Sequence, residues 1–465
     1  MARNPGATPQ PALRRVMGVP TLAVFGLAYM VPLTVFTTYG LVAVTTRGHV
    51  PTAYLVTLAA MLFTAGSYAA LVRVLPRAGS AYSYARQAFG AHAGFLTGWA
   101  LMLDYVLLPM INYVLVGIYV HAQFPAIPAW SIAVLAVVVV TGLNIIGITV
   151  VRNANLVLVG IQLVFVVVFV GAAIGYASDH PGTSLLRPLV DAGLSAPAVL
   201  SGAAILALSF LGFDAISTLS EEAKDPRRTV PRAIIVATVF AGVLFVVISY
   251  AAELVQPDYT TIKDPDTAAN EVMNIAAGQW LQIFFLTAYI IGCASSAMAS
   301  QASVSRILFA MGRDGVLPRR VFGLVSRRFR VPLGATLVVG VISLGALFAE
   351  LSVLTLIINF GALVAFSLVN LSVIKHFLID RRERSMRSVI VRGVFPAIGF
   401  LLTAWLWFSL SGLALVVGIC WVVAGVLYLA ILTRGFRRRP PEVRFSDSAP
   451  PVERSGLPDP EPTRD

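Results

Sequence analysis

Charged residues are scarce in this chain. Asp, Glu, Lys and Arg together make up 12% of its 465 residues, whereas 58% of the residues are hydrophobic. Soluble globular domains carry about 25% charged residues, which keep their surfaces in contact with water. The composition therefore excludes a soluble globular protein and predicts an integral membrane protein.

Cysteine and the common catalytic motifs are equally rare. The two cysteines, Cys293 and Cys420, lie in apolar runs, which excludes a disulfide framework and a cluster of thiolate ligands. The five histidines show no metal-ligand spacing, so we expect no metal site. The chain also lacks the Gly-x-x-x-x-Gly-Lys-[Ser/Thr] loop of ATP-driven pumps and the His-Glu-x-x-His motif of metalloproteases. We therefore expect neither an enzyme nor a bound cofactor.

Long apolar runs, by contrast, are abundant. A helix needs about 20 mainly apolar residues to cross about 30 Å of hydrocarbon. Twelve such runs lie near 17–44, 51–74, 94–120, 129–150, 153–177, 196–220, 231–256, 278–306, 332–350, 353–376, 389–411 and 413–433. The sequence therefore predicts an all-α integral membrane protein with twelve transmembrane helices.

The basic residues indicate how the helices are oriented. With a cytoplasmic N-terminus, 31 of the 34 Lys and Arg residues fall on the cytoplasmic side, and only Arg47, Arg187 and Lys263 fall outside. Because Lys and Arg favour the cytoplasmic side, both termini are predicted to be cytoplasmic. The formal net charge of +12 then faces the anionic lipids of the inner leaflet and implies no nucleic acid partner.

We divide the chain into four parts. Residues 1–16 are predicted to be a cytoplasmic N-terminal segment and residues 17–378 a ten-helix transport core. Residues 379–434 hold helices 11 and 12 with the cytoplasmic loop before them. Residues 435–465 are rich in proline and charge, a composition that predicts a disordered cytoplasmic tail.

Two predicted helices are interrupted in their middle. The sixth contains Gly212 close to Asp214, and the first contains Pro32. A single glycine or proline is common in membrane helices, but a pair at corresponding positions favours two discontinuous helices that begin two five-helix halves. Since five is odd, the halves form an inverted repeat, followed by two extra helices. Lipid cannot provide hydrogen-bond partners for the backbone groups at a break, so we expect the breaks to line a substrate site. Two broken helices favour transport by alternating access. The alternative, a channel, would need a repeated filter segment.

Several sequence motifs match a known superfamily over roughly residues 20–380. They are Met30-Val-Pro-Leu-Thr-Val-Phe, Gly48-His-Val-Pro, Pro76-Arg-Ala-Gly-Ser-Ala-Tyr-Ser-Tyr, Leu108-Pro-Met-Ile-Asn, Phe210-Leu-Gly-Phe-Asp and Ile358-Asn-Phe-Gly-Ala. On these motifs the chain resembles the amino acid-polyamine-organocation superfamily and is most similar to bacterial putrescine importers.

The resemblance implies a secondary active transporter in the bacterial cytoplasmic membrane. Its expected substrate is a small amine, with putrescine or a related polyamine first and a neutral or cationic amino acid as the alternative. The expected coupling is to an ion gradient, with the proton as coupling ion.

Two intramembrane carboxylates favour a cationic substrate independently of the resemblance. Asp104 lies ten residues beyond Gly94, which places it about 15 Å into the membrane, and Asp214 lies about 10 Å from the inner boundary. Each has a structural alternative, because intramembrane acids also pair with hydroxyl groups or helix ends. Nearby aromatic side chains offer cation–π contacts, or they serve ordinary helix packing. The candidate substrate-binding residues are Tyr29, Pro32, Thr37, Asp104, Tyr105, Ser209, Gly212, Phe213 and Asp214.

Three positions refine the substrate and the coupling. Pro32 donates no N–H at the break, where related amino acid transporters bind a substrate carboxylate, so the break suits a diamine better. Putrescine importers commonly have an aspartate where this chain has Thr37. Proton-coupled members of the superfamily often have a lysine where this chain has Gln162, so another group is needed to carry the proton.

A charged segment follows the sixth span. Glu221 and Glu222 are predicted to form a cytoplasmic gate with Arg73 or Arg86. The alternative is a solvated loop with no role in gating.

Overall fold

The computed structural model describes residues 17–76, 80–146, 148–180, 184–265, 268–313, 316–326, 331–348, 351–408 and 412–437, together with 329, 410 and 440. These residues form no named β-strand; one isolated bridge joins Met17 and Ala223. The prediction of an all-α protein is confirmed for this part of the chain. The predicted N-terminal segment 1–16 and the tail beyond 440 lie outside the described residues.

The described residues form seventeen α-helices, joined by short 3₁₀ and π-helical turns. They are α1 (Val19–Met30), α2 (Val35–Thr46), α3 (Val50–Val74), α4 (Ser80–Phe89), α5 (Ala91–Gln123), α6 (Ala129–Ile146), α7 (Ile148–Asp179), α8 (Ala196–Leu206), α9 (Pro226–Val255), α10 (Ala268–Ala277), α11 (Gln279–Arg313), α12 (Arg319–Phe322), α13 (Leu333–Ser343), α14 (Leu351–Ile374), α15 (Met386–Val389), α16 (Phe395–Phe408) and α17 (Gly412–Leu432).

Eleven helical segments among the described residues are long and apolar enough to cross a membrane. They coincide with eleven of the twelve predicted spans. The ninth predicted span, 332–350, contains the shorter helix α13 followed by a 3₁₀ turn, Leu344–Leu347. Eleven α-helical residues rise about 16 Å, roughly half the hydrocarbon thickness. The count of twelve, the inverted repeat and the four-part division stay predictions.

The first and sixth predicted spans are both discontinuous. In the first, α1 ends at Met30, and a 3₁₀ turn over Pro32–Thr34 precedes α2. In the sixth, α8 gives way to a 3₁₀ turn, Ala207–Phe210, then to turns over 211–214, and finally to a second 3₁₀ segment, Ala215–Glu222. The two interruptions lie where the sequence has Pro32 and Gly212.

The two broken spans lie in the middle of the bundle. Together with the span Ala91–His121 they are among the most buried of the eleven apolar segments, whereas Leu415–Leu432 is the least buried. α17 is held to the bundle through Trp99 of α5 and Trp421, whose indole Nε1 atoms each donate to the other residue's carbonyl oxygen at 2.9 and 2.8 Å. The interior of the bundle therefore contains the breaks, and α17 packs at its periphery.

Candidate substrate site

A cavity lies between the two breaks. Its volume is about 40 Å³, which in this conformation is room for a few water molecules. No lining side chain carries a charge, and several offer hydroxyl or amide groups. The lining residues are Tyr29, Met30, Val31, Thr34, Thr37, Leu108, Ile111, Asn112, Leu115, Leu208, Leu211, Tyr289, Cys293 and Ser296.

The break in the first span bends at Val31, whose φ is +55°. A positive φ is a strained conformation for a β-branched residue and marks a position held by its surroundings. Its N–H still donates to the carbonyl oxygen of Leu27 at 3.0 Å, and Pro32 has no N–H to offer. The break therefore presents few backbone donors to the cavity.

Helix α11 supports this break from the side. The hydroxyl of Ser296 donates to the carbonyl oxygen of Tyr29 at 2.8 Å, and the amide of Asn112 on α5 donates to that hydroxyl at 3.1 Å. A carbonyl freed by the break is thus satisfied by a side chain, as the interior of a membrane protein requires. Asn112 and Ser296 connect α5, α11 and α1 at the cavity wall.

Thr37 lines the cavity on the next helix, α2. Its hydroxyl oxygen is 2.5 Å from the hydroxyl oxygen of Tyr289 on α11. The ring centroids of Tyr289 and Tyr119 are 4.6 Å apart. Tyr289, Asn112, Cys293 and Ser296 were not predicted as site residues, because they belong to continuous apolar helices with no break or charge to mark them.

The second break contacts the first directly. Gly212 has a φ of +129°, and a β-carbon built there would lie 2.6 Å from Cδ1 of Tyr29. Only glycine fits both the backbone conformation and this close approach. The site that the sequence predicts around Gly212 is therefore filled, in this conformation, by the ring of Tyr29.

Asp214 is buried next to this contact and has two hydrogen-bond donors. The hydroxyl of Tyr105 donates to its Oδ2 at 2.7 Å, and the backbone N–H of Gly212 donates to its Oδ1 at 3.3 Å. The ring of Tyr105 also makes an edge contact with Tyr29, at 6.3 Å between centroids. Asp214 is thus linked to the cavity through two tyrosines, although it does not line the cavity itself.

Asp104 has a different environment. It is fully buried on α5, and neither carboxylate oxygen has a hydrogen-bond partner among the described residues. Gly361 of α14 packs so closely on this part of α5 that a β-carbon there would lie 2.5 Å from the carbonyl oxygen of Ala100. Asp104 is not among the residues that line the cavity.

The remaining predicted residues support the breaks. Ser209 lies 3.1 Å from the hydroxyl of Tyr54, and the ring of Phe213 packs between Tyr68 and Phe366 at 5.7 and 5.1 Å. Gln162 is buried on α7, and its Oε1 has no hydrogen-bond partner in the part of the chain that the structure describes. Of the nine predicted substrate-binding residues, the structure places Tyr29 and Thr37 at the cavity and the others around it.

One end of the bundle is closed by an ion pair and by backbone pairing. Glu222 Oε1 lies 3.0 Å from Nη2 of Arg306, and Met17 exchanges backbone hydrogen bonds with Glu222 and Lys224, each at 3.0 Å. Arg306 of α11, which the sequence does not predict, is thus a basic partner of Glu222, and the predicted gate with Arg73 or Arg86 stays a prediction. Arg73 is exposed at the end of α3. The side chain of Glu221 lies outside the described part of the structure.

The opposite end is closed by the segment before α8. His49 Nε2 lies 3.1 Å from Oδ1 of Asp191, and the hydroxyl of Thr52 donates to the carbonyl oxygen of Leu189 at 2.6 Å. Below this segment the buried Glu253 accepts from the backbone N–H of Val50 at 2.8 Å. The cavity therefore lies between two closures, one at each end of the bundle.

Comparison with known proteins adds independent findings. A family model described as amino acid permease matches residues 21–431. The chain is 40% identical over 434 residues to the low-affinity putrescine importer PlaP of Escherichia coli (strain K12), an alignment that covers 92% of this chain and 96% of that protein. It is 26% identical to the branched-chain amino acid permease BcaP and 27% identical to the methylthioribose transporter, both of Bacillus subtilis (strain 168), with 91% of this chain and 94% of each relative covered.

We predict that Gly212→Leu lowers the thermal stability of the purified protein in detergent. The leucine has to adopt an unfavourable φ and displaces Tyr29, so backbone strain alone costs about 1–3 kcal/mol. Gly171→Leu on α7 is the matched control, because the space around Gly171 is open. Equal melting temperatures for the two variants would show that the contact between Gly212 and Tyr29 is not required.

We also predict that Glu222→Gln opens the end of the bundle at Arg306. The amide that replaces the carboxylate still accepts from Arg306 but carries no charge, so the pair weakens by about 1 kcal/mol and the open population rises about fivefold. The native thiol of Cys293, which lines the cavity, reports opening through its rate of reaction with N-ethylmaleimide in a Cys420→Ser background. Asp380→Asn, which breaks the more exposed Lys375–Asp380 pair, should leave the rate unchanged. An unchanged rate in Glu222→Gln would exclude a gating role for the pair.

Proposed function

This chain belongs to the amino acid permease family of the amino acid-polyamine-organocation superfamily, and we propose that it is a secondary active importer of a small amine. Putrescine or a related polyamine is the leading substrate. The observation that carries the proposal is the cavity between the two breaks, whose lining is uncharged and rich in hydroxyl and amide groups and which lies beside the buried Asp214. The 40% identity to a low-affinity putrescine importer, over 96% of that protein, supports the same substrate class.

The first break is a poor site for a substrate carboxylate. Anions bind at helix N-termini through free backbone N–H groups. Here the N–H of Val31 is used within α1, the N–H of Thr34 donates to the carbonyl oxygen of Val31 at 2.9 Å, and Pro32 has none. An amine needs acceptors instead, and the hydroxyls of Thr34 and Thr37 can accept its hydrogen bonds.

We propose that Asp214 is the anionic partner of the substrate ammonium. Its carboxylate lies behind Tyr105 and Tyr29, so the rotation of Tyr29 away from Gly212 would connect it to the cavity. The rings of Tyr29 and Tyr289 offer cation–π contacts to an ammonium and apolar contact to a polymethylene chain. In this proposal Pro32 and Gly212 shape the breaks, and Ser209 and Phe213 hold the second break in place.

The closures at both ends fit a carrier that works by alternating access. We propose that the inverted five-helix repeat exposes the cavity to one side at a time, with Glu222 and Arg306 as the cytoplasmic gate and His49 and Asp191 in the outer closure. Both termini are then cytoplasmic, as the distribution of basic residues indicates. We expect the proton as coupling ion.

An amino acid is the alternative substrate. The family model and the branched-chain amino acid permease of Bacillus subtilis support this reading, and Asp214 would serve an α-ammonium group equally well. The two substrates differ in the α-carboxylate, which only the amino acid has. The first break offers this group few hydrogen-bond donors.

The function is tested by counterflow in proteoliposomes. Vesicles loaded with unlabelled putrescine should take up labelled putrescine transiently and saturably from outside. Competition by cadaverine, spermidine, leucine and arginine then ranks the substrate classes. Counterflow with leucine or arginine and none with putrescine would replace the amine with an amino acid, and linear, unsaturable flux would indicate a channel.

We predict that Thr37→Asp increases the affinity for a diamine relative to a neutral amino acid. Thr37 lines the cavity, so an added carboxylate can accept from a second ammonium, and such charge-assisted hydrogen bonds contribute about 1.5–3 kcal/mol, or about tenfold or more in Kd. Thr37→Asn has nearly the same shape without the charge and should not change the ratio. Competition assays at two pH values measure this affinity ratio. If Thr37→Asp favours the diamine no more than Thr37→Asn does at either pH, Thr37 does not contact the substrate.

A further inference from the structure

We propose that His49 and Asp191 form a proton-binding latch in the outer closure, which takes up one proton as the closure forms and releases it to the same side as the closure opens. The inference rests on the proposed function, which assigns this end of the bundle to the outer side. It makes the opening of this end depend on external pH, and it is separate from the coupling of transport to an ion gradient.

The Gly48-His-Val-Pro motif forms a tight corner between α2 and α3 and fixes the position of His49. Gly48 has a φ of +80°, and its N–H donates to the carbonyl oxygen of Ala43 at 2.8 Å. The N–H of His49 donates to the hydroxyl of Thr46 at 3.1 Å, and Pro51 lies in the first turn of α3. His49 is fully buried at this corner. Its ring is therefore held in one place while the corner is folded.

Both ring nitrogens of His49 face oxygen atoms. Nδ1 lies 3.0 Å from the carbonyl oxygen of Thr46, which can only accept a hydrogen bond, so Nδ1 carries a proton. Nε2 lies 3.1 Å from Oδ1 of Asp191, and this contact is an ion pair, not an aligned hydrogen bond. In a neutral ring Nε2 would hold a lone pair next to a carboxylate oxygen, and the two would repel each other. The imidazolium is the form of the ring that suits both neighbours.

Asp191 has partners that suit an ionised carboxylate. Its Oδ1 accepts from the N–H of Gly193 at 2.6 Å, and Nε of Arg187 lies 3.9 Å from its Oδ2. Hydrogen bonds and a nearby cation both favour the charged form of an acid. The Asp191 side chain is 33% exposed, whereas that of His49 is 0% exposed. The buried ring therefore exchanges contact with water for contact with a negative charge when the closure forms.

The other ionisable groups at this corner do not replace the proton on His49. Glu253 of α9 accepts from the N–H of Val50, the residue after His49. An ionised Glu253 adds to the attraction for an imidazolium, and a neutral one leaves the pair with Asp191 unchanged. α8, which packs on Thr46 through Gly202, contains no ionisable residue. The remaining groups around the corner are Tyr39, Tyr259 and the exposed Arg47 and Asp258.

Closing the outer end therefore includes a protonation step. When the segment before α8 moves away, the ring of His49 meets water and exchanges its proton with the outer solution, as histidines do between about pH 5 and 8. On closure, one proton from that solution binds Nε2 of the neutral ring and gives the imidazolium; no other bond changes. The closed form then holds one more proton than the open form, so falling pH stabilises the closure and rising pH favours opening. The proton returns to the side from which it came, with or without substrate, so the latch moves no proton across the membrane.

The test measures how external pH changes the opening of this end. In right-side-out membrane vesicles of the Cys420→Ser protein, a membrane-impermeant thiosulfonate applied outside reaches Cys293 in the cavity through the outer closure. Dividing its rate by that of the His49→Gln variant at each pH cancels the pH dependence of the thiol reaction. We expect this ratio to rise between about pH 6 and 8, by at most about tenfold per pH unit for one proton. A ratio that does not change with pH would overturn the proposal.

Three further variants make the result specific. His180→Gln should keep the pH dependence, because His180 is an exposed histidine whose Nδ1 lies 2.9 Å from the carbonyl oxygen of Tyr176. Glu253→Gln should keep it as well, since the amide still accepts from Val50; its loss there and not in His49→Gln would make Glu253 the proton site and contradict the proposal. Asp191→Asn should remove it, because an amide can donate to the neutral ring. If His49→Gln does not fold, Asp191→Asn takes its place, and equal pH dependence in Asp191→Asn and its parent overturns the latch.

The labelling needs no substrate, so its outcome is independent of putrescine counterflow. If counterflow fails while the pH dependence is present, the proposed substrate is wrong and the latch stands. If counterflow succeeds and labelling does not depend on pH beyond the thiol reaction, the proposed function stands and the latch is wrong. Inside-out vesicles test the side: a pH dependence found only in them would place His49 at the cytoplasmic end and overturn its assignment to the outer closure.

Discussion

The structure depends on one constraint: inside a membrane, every backbone N–H and C=O group needs a partner within the protein. Two helices interrupt their own hydrogen bonding, at Val31 and at Gly212, and neighbouring groups compensate. Ser296 donates to the carbonyl oxygen of Tyr29, and Asp214 accepts from the N–H of Gly212. Because these partners lie in the middle of the bundle, the cavity lies there too, and the residues that stabilise the breaks also surround the site.

Close backbone packing is the second consequence of this arrangement. At Gly212 the second break touches Tyr29, and at Gly361 helix α14 touches the backbone of α5. In both places an added β-carbon would lie within 2.6 Å of an atom of the neighbouring element, so any side chain would push the two elements apart. The tight contacts exclude water from the carboxyl groups nearby, so hydrogen-bonding partners and not solvent decide where charge is tolerated.

The sequence predicts those features that depend on local patterns. Length and apolarity locate the spans, and Pro32 and Gly212 locate both breaks, because proline and glycine act on their own backbone. The partners of the site could not be predicted in this way. Tyr289, Asn112 and the pairing of Glu222 with Arg306 depend on which helices meet, and a single sequence contains no such information. The ninth predicted span, 332–350, stays a prediction, since its apolar run continues beyond the end of α13.

The two buried aspartates show most clearly what cannot be predicted from the sequence alone. Spacing along a helix gives the depth of Asp104 and Asp214 in the membrane, and depth alone suggests one role for both. Their hydrogen-bond partners differ because Asp214 lies in an unwound segment, where a backbone N–H is free to turn toward it, whereas Asp104 lies within a continuous helix whose N–H groups are already used. A broken helix thus provides donors for a fixed negative charge, and a continuous helix does not. The different surroundings of the two acids therefore follow from the same interruption that forms the cavity.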